Sequence, residues 1–187
     1  MGKVGILVIS YGSRAASLVD ALSRSLNYDV SFYTACKQRD PYLASVSTEQ
    51  AVIPNLDVNK IADFAQKNKD HIDFGVVGPE GPIINGIADI IEGKYGIPMI
   101  CPTKEFALEE SKVRQRLLMQ EIVPEANPDF RVFDPSNYST EAAVFSDFKS
   151  WIEELGGVSE SVIKPDKPGF GMRDGAFLII MRPPCSA

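Results

Sequence analysis

The sequence predicts an α/β fold: an open, mostly parallel sheet with helices on both faces. Three observations predict it. Short apolar, β-branched runs recur at residues 4–10, 29–35, 51–53, 74–77 and 97–100. Segments with apolar residues at helical spacing lie between most of them, and glycine, proline and polar residues punctuate the joins. A chain that alternates strand and helix must cross over the sheet between strands, which leaves successive strands parallel.

Val4 to Ser10 is the first strand, ended by the turn signal Tyr11-Gly12-Ser13. Ala15 to Leu26 follows as a helix, with Ala15, Leu18, Val19, Leu22 and Leu26 on one face. Asp29 to Ala35 is the second strand. Residues 37–48 are polar and contain Pro41, which reads as loop. Ala51 to Ile53 is a short strand, and Asp57 is placed to cap a helix carrying Val58, Ile61, Ala62 and Phe64. Phe74 to Val77 is a buried strand broken by Gly78-Pro79-Glu80-Gly81-Pro82. Ile83 to Glu92 reads as one helix, ended by Gly93 and Gly96, before a last strand from Ile97 to Ile100.

The pattern changes after Pro102. Thr103 is expected to cap a short helix from Lys104 to Glu110, and a second helix runs from Lys112 to about Ile122. Pro124 and Pro128 mark a linker, and Arg131 to Phe133 a strand. Ser139 to Leu155 is an amphipathic helix ended by Gly156-Gly157. Ser161 to Lys164 reads as a buried strand, followed by a Pro/Gly-rich loop. The apolar run Ala176 to Met181 and then Arg182-Pro183-Pro184-Cys185 follow.

With 187 residues the chain has enough length for one good core, or one domain and part of a second. Its net charge of −6 argues against nucleic acid as a general partner, because binding a phosphate backbone needs a basic face. A small phosphorylated ligand needs only a few N–H groups and one or two cations. No apolar run approaches the roughly 18 residues of a membrane span, and the start of the chain reads as a strand rather than a signal peptide. The expectation is a cytoplasmic protein with no membrane partner. Cys36, Cys101 and Cys185 share no metal-ligand spacing and read as free thiols in a reducing compartment. His71 is the single histidine, so a catalytic triad or histidine-based metal site has little to build with.

Four features could carry chemistry. Gly12, Ser13 and Arg14 join a strand to a helix. They could hold a phosphate through helix N–H groups, a hydroxyl and a cationic fork; a plain βα turn would look the same. The three-glycine dinucleotide fingerprint is absent, which weighs against a nicotinamide-dependent oxidoreductase. Gly78, Pro79 and Glu80 follow the fourth strand, where ligands bind in parallel sheets. Glu80 could accept ligand hydroxyls, or merely sit near a helix start. Lys112 and Lys164 each lie on an apolar element and could meet a polyphosphate, although the commoner role of a single lysine is a solvated charge. Gly169 and Gly171 lie in a loop able to fold over phosphates, without the spacing of a P-loop. The pairs Glu109-Glu110 and Glu153-Glu154 read as solvated helix faces.

Taken in order, these residues resemble the phosphoribosylamine–glycine ligase family of ATP-grasp enzymes. The resemblance is densest in Val76-Val77-Gly78-Pro79-Glu80-Gly81-Pro82, Gly86-Ile87-Ala88-Asp89, Gly96-Ile97-Pro98, Pro102-Thr103-Lys104-Glu105, Leu108-Glu109 and Ser111-Lys112. Val162-Ile163-Lys164 falls where the family has a Val-Val-Lys strand, and the resemblance spans residues 3 to 171. It implies a Rossmann-like, pre-ATP-grasp domain over 1–102, a helical connection over 103–123 and part of an α+β ATP-grasp small subdomain over 124–171. Residues 172–187 would be an atypical tail.

The resemblance further implies a purine-biosynthesis ligase that joins glycine to 5-phosphoribosylamine with ATP and Mg²⁺. ATP phosphorylates the glycine carboxylate, and the sugar's amine attacks the acyl phosphate. Lys112, Lys164, Gly169 and Gly171 would bind ATP. Gly12, Ser13, Arg14, Gly78, Pro79 and Glu80 would bind phosphoribosylamine. No side-chain nucleophile is required, because positioning and charge neutralisation carry this chemistry.

Two departures accompany the resemblance. The first loop reads Gly12-Ser13-Arg14-Ala15-Ala16 where the family has Gly-Gly-Arg-Glu-His, so a Glu and a His that bear on phosphoribosylamine affinity are absent. After Gly171 the sequence reads Met172-Arg173-Asp174 in place of the family's Lys-Gly-Val. The expectation is a truncated product, from a frameshift near residue 171, that is inactive alone. Mg²⁺ ligands would lie in the missing C-terminal part, which a complementing C-terminal chain could supply. The alternative is a non-catalytic Rossmann-like module that binds a phosphosugar or a partner chain.

Overall fold

A computed structural model describes residues 1–108, 111–166 and, as backbone, 178–181. The chain forms two compact units, Met1–Ala107 and Leu108–Ala187.

The first unit is built on five parallel strands: β1 (Gly2–Ile9), β2 (Tyr28–Cys36), β3 (Glu49–Val52), β4 (Phe74–Val77) and β5 (Met99–Ile100), in the order β3-β2-β1-β4-β5. Its helices are α1 (Gly12–Ser23), α2 (Pro41–Val46), α3 (Val58–Lys67), α4 (Glu80–Ile84) and α5 (Ile87–Tyr95). Alternation along the central strand β1 sorts the core into two layers. Leu7 and Ile9 pack with Ile61 and Ala65 of α3 and Ile87 and Ile91 of α5. Ile6 and Val8 pack on the other face with Ala15 and Val19 of α1 and Leu43 of α2. Both faces are covered, as a parallel sheet requires.

Local chemistry explains most element boundaries. The Asp57 carboxylate accepts the N–H groups of Asn59 and Lys60 and starts α3 as predicted. The segment read as loop over 37–48 contains α2. Pro41 fits its first turn, the Asp40 carboxylate accepts the N–H groups of Tyr42 and Leu43, and fully buried Leu43 anchors it. The single helix expected over 83–92 is two helices, because Gly86 takes a left-handed conformation (φ 77°) between α4 and α5. Gly93 lies inside α5, and left-handed Gly96 ends it. Helix α1 stops at Ser23, so Leu26 leaves the apolar face and is 90% exposed. Within β4, only Gly75 is buried, and its neighbours are half-buried. Lys104–Phe106 forms one 3₁₀ turn without a side-chain cap from Thr103, and Glu109 and Glu110 lie outside the described residues.

The second unit holds a three-stranded antiparallel sheet: β6 (Phe130–Phe133), β7 (Val162–Pro165) and β8 (Leu178–Met181), with β8 in the middle. The apolar run near the end of the sequence therefore supplies the central strand. Helices α6 (Lys112–Ile122) and α7 (Glu141–Glu154) complete the unit. Thr140 caps α7 by accepting the Ala143 N–H. Phe133, Ile152 and Leu155 form the core, with the Phe148 and Trp151 rings 5.6 and 5.9 Å from the ring of Phe133. Among the described residues, the strand read as buried over 161–164 is an edge strand, paired with β8 alone, with Val162 44% and Ile163 42% exposed. No helix among the described residues is long and apolar enough to cross a membrane.

Candidate functional site

The strand order of the first unit creates a crevice between β1 and β4. The chain leaves β1 through α1 toward β2 and β3, then returns through α3 to place β4 on the opposite side of β1. The helices after β1 and β4 pack on opposite faces of the sheet, so their loops diverge at the carboxyl ends of these strands. In open α/β sheets that point of divergence is the ligand site.

Register determines which residues meet there. Ile9 pairs with Ala35 on one side and Val77 on the other, which sets Ser10, Cys36 and Gly78 abreast one residue later. The Ser10 N–H donates to the Ala35 carbonyl (3.1 Å) and the Gly78 N–H to the Ile9 carbonyl (2.9 Å). Arg14 reaches across the crevice and donates from Nη1 to the Gly78 carbonyl at 2.6 Å. A Cβ on Gly78 would collide with Ser10 Oγ and stand 2.9 Å from Arg14 Cδ, so the two loops approach this closely only because residue 78 is glycine. The loops predicted to share a ligand, Gly12 to Arg14 and Gly78 to Glu80, are thus joined. Gly12 opens α1 with φ 58°, Pro79 is buried before α4, and Glu80 begins α4 with its side chain exposed.

A cavity of about 210 Å³ at this end is lined by Ser10, Tyr11, Gly12, Ser13 and Arg14. Gly12, Ser13 and Arg14 stand out in the sequence, whereas two neighbouring residues, Ser10 and Lys37, do not. Ser10 is 1% exposed, and its hydroxyl has no hydrogen-bond partner. Lys37, just past β2, holds its ammonium 4.3 Å from the centroid of the Tyr11 ring. The extended register of β1 and β2 is the signal that could have found Lys37. A larger cavity of about 510 Å³, lined by residues such as Val4, Leu22, Tyr28 and Phe74, opens at the amino ends of the strands, the end such sheets leave without ligand.

The predicted ATP lysines lie in the second unit. Ser111 starts α6 and accepts the Arg114 N–H at 3.1 Å. Asp166, 5% exposed, clasps the same helix end: its Oδ1 accepts Ser111 Oγ (2.7 Å) and the Val113 N–H (2.9 Å). Its main-chain carbonyl accepts both the backbone N–H of Lys112 (3.2 Å) and Lys112 Nζ (3.3 Å). The segment carrying Lys112 is therefore fastened two residues beyond Lys164, which is half-buried near the end of β7. Lys112 Nζ meets a neutral carbonyl there, so its charge stays uncompensated by that partner, as an anion site needs. Gly169 and Gly171 lie outside the described residues.

Among the described residues the two cysteines are poor nucleophiles, and Cys185 lies outside the described residues. Burial, reinforced by Glu92 and Asp89, pushes the Cys101 thiol up to about 11, and burial also raises that of Cys36. Burial in this way disfavours the thiolate, the reactive form of cysteine. Among the described residues no three His, Cys, Asp or Glu side chains are grouped to hold a metal ion.

Comparison with known proteins agrees with the fold of the first unit. Residues 4–110 match the family described as phosphoribosylglycinamide synthetase, N domain. The chain is 32% identical over 163 residues to the phosphoribosylamine–glycine ligase of Pyrococcus furiosus, covering 87% of this chain and 33% of that protein. It is 31% identical over 161 residues to the enzyme of the same name from Thermococcus kodakarensis, covering 86% and 33%. The crystal structure of phosphoribosylamine–glycine ligase from Thermotoga maritima has the same fold, with a TM-score of 0.58 at 15% identity over 96% of this chain and 44% of that one. The chain spans about a third of the length of the curated relatives it matches.

Proposed function

The chain belongs to the phosphoribosylglycinamide synthetase family, and we propose that it supplies the sugar-binding domain and part of the nucleotide site of an ATP-dependent ligase that joins glycine to 5-phosphoribosylamine. The observation that carries this is the Arg14–Gly78 bond at the β1–β4 divergence. It joins the two candidate turns inside the region matched by the family, which supports a shared ligand. Gly12, Ser13 and Arg14 line one wall. Gly78, Pro79 and Glu80 form the other, where the Glu80 carboxylate would accept sugar hydroxyls.

On this reading Lys112 and Lys164 neutralise the ATP phosphates, with Gly169 and Gly171 in the loop over them. Asp166 supports the arrangement by anchoring the start of α6 through Ser111 and Val113. These residues fit a polyphosphate: one lysine donates to a neutral carbonyl, and the helix end that carries it is rigidly capped. They do not fit Mg²⁺, since the described residues offer no acidic cluster. ATP would activate the glycine carboxylate for attack by the sugar's amine. The chain's own part is to hold the phosphosugar and to offset phosphate charge.

Turnover on this reading needs the remaining two thirds of the family's length, on the same polypeptide or on a complementing chain. The test is an assay of the purified chain with ATP, glycine and phosphoribosylamine, with and without the C-terminal two thirds of a relative. No product alone and product on complementation is the expected result. Full turnover by the chain alone would overturn the division of labour. Failure to bind ribose 5-phosphate would overturn the crevice assignment.

A further inference from the structure

Helix α6 begins at Lys112, and packing does not hold that helix in place. None of its 11 residues is buried. Burial of an apolar face is what normally fixes how a helix lies on its neighbours, so here the hydrogen bonds at its start must do so. Ser111 accepts the Arg114 N–H at 3.1 Å, which closes the first turn on itself. That local cap starts the helix but does not aim it.

Asp166 supplies the direction. It lies 55 residues beyond Ser111 and is 5% exposed. Its Oδ1 accepts Ser111 Oγ at 2.7 Å and the Val113 N–H at 2.9 Å, so one oxygen holds the residues on either side of Lys112. Its main-chain carbonyl accepts Lys112 itself, from the backbone N–H at 3.2 Å and from Nζ at 3.3 Å. The ammonium is thus bonded to the neutral carbonyl and not to the carboxylate. An ammonium has more donors than that one bond uses, so Lys112 can still receive a phosphate from a position already set. Lys164 stands half-buried two residues before Asp166, on β7.

We propose that Asp166 is a positioning residue of the nucleotide site: it touches no phosphate, and acts through Lys112 by fastening residues 111–113 to the end of the strand that carries Lys164. This rests on the reading that Lys112 meets the phosphates of ATP, and adds the residue that sets where its ammonium stands. A lysine is a point charge on a long flexible stem, and ordering that stem costs affinity unless it is ordered beforehand. The bonds from Asp166 meet that cost in folding.

The test is calorimetric titration of the full chain with tripolyphosphate and with ATP. Circular dichroism and the fluorescence of Trp151, which packs on Phe133, check that each variant is folded. Lys112→Gln and Asp166→Ala should each weaken both ligands about tenfold, the scale of one hydrogen bond to a charged group. Asp166→Asn keeps an oxygen for Ser111 and Val113 and should recover most of the loss. The double variant Asp166→Ala/Lys112→Gln should bind within about twofold of Lys112→Gln alone, because a residue that works through Lys112 then has nothing to position. A merely structural role would multiply the two losses. Should Asp166→Ala fail to fold, Ser111→Ala takes its place in the cycle, with the same non-additive result expected.

Losses that multiply in the double variant, or a folded Asp166→Asn as weak as Asp166→Ala, would overturn the inference. Weakened binding in Lys112→Gln with unchanged binding in Asp166→Ala would overturn it too, and leave Lys112 in the nucleotide site. No binding of either ligand by the unaltered chain, or binding indifferent to Lys112→Gln, would remove the nucleotide reading and the inference together.

Discussion

The two units of this chain reach order by different means. The first packs a core on each face of its sheet, and its central strand is sealed, with Leu7, Val8 and Ile9 at 0% exposure. Among the described residues the second has one small core, around Phe133, and α6 contributes no buried residue to it. Its order leans on polar clasps: Asp166 on the start of α6, Asn127 bonded to Arg116 and Gln120, and Asp147 accepting from both Arg131 and Tyr138. A parallel sheet buried on both faces can tolerate the loss of one contact, whereas a thin layer resting on a few bonds cannot. The difference also separates the two candidate sites: the first lies at the carboxyl ends of the interior strands β1 and β4, while the Lys112 segment is fastened by the single carboxylate of Asp166.

The comparison can be broken by experiment. Phe133→Ala removes the center of the second core and should cost about 3–5 kcal/mol. Trp151 is the sole tryptophan and packs on Phe133, so its fluorescence should report the loss while the first unit keeps its circular dichroism. A simultaneous loss of both signals would show one cooperative body instead of two units. Leu7→Ala should cost about 2–5 kcal/mol in denaturant melts of the first unit, with Trp151 fluorescence unmoved.

Asp166→Ala leaves the buried Ser111 hydroxyl and the Val113 N–H without their acceptor, and should cost the second unit about 1–3 kcal/mol. Asp166→Asn keeps an oxygen acceptor and should lose less; equal losses would mean that charge on the helix end, and not the bond, is what matters. Asp57→Ala, which removes one local cap from the well-packed unit, should cost only about 1 kcal/mol. A larger cost than that of Asp166→Ala would reverse the ranking. Cys101, held near 11 mainly by burial, should alkylate slowly at pH 8 and speed up as the pH climbs toward that value. Reaction at pH 8 as fast as a free thiol would show that the end of β5 is open to water.

Much of the fold was legible along the chain. β4 over Phe74–Val77 and α6 over Lys112–Ile122 match their sequence signals, and Asp57 caps α3 as its position foretold. The misses have physical causes. Helix α2 hid in a polar stretch because Pro41 reads as a breaker unless Asp40 is recognised as the cap before it. Gly86 split a helix whose apolar spacing runs through unbroken, because periodicity does not register a left-handed residue. Val162 and Ile163 look like core and lie 44% and 42% exposed, because composition does not say which strand becomes an edge. In the crevice, the turn residues Gly12 to Arg14 and Gly78 to Glu80 stood out as punctuation after strands. Ser10 and Lys37 did not, since their significance comes from a register shared by three strands.

The sequence by itself determined the alternation of strand and helix, the local side-chain caps that start α2, α3, α6 and α7, and the parallel class of the first sheet. All three are decided by near neighbours and by the period of the apolar pattern. Tertiary structure alone decided that β4 lies beside β1, that β8 runs between β6 and β7, that Ser10 Oγ is left without a partner, and that Asp166 closes a helix more than fifty residues away. Those outcomes depend on strand order and register, which are settled by which faces can be buried together and not by any local run of residues.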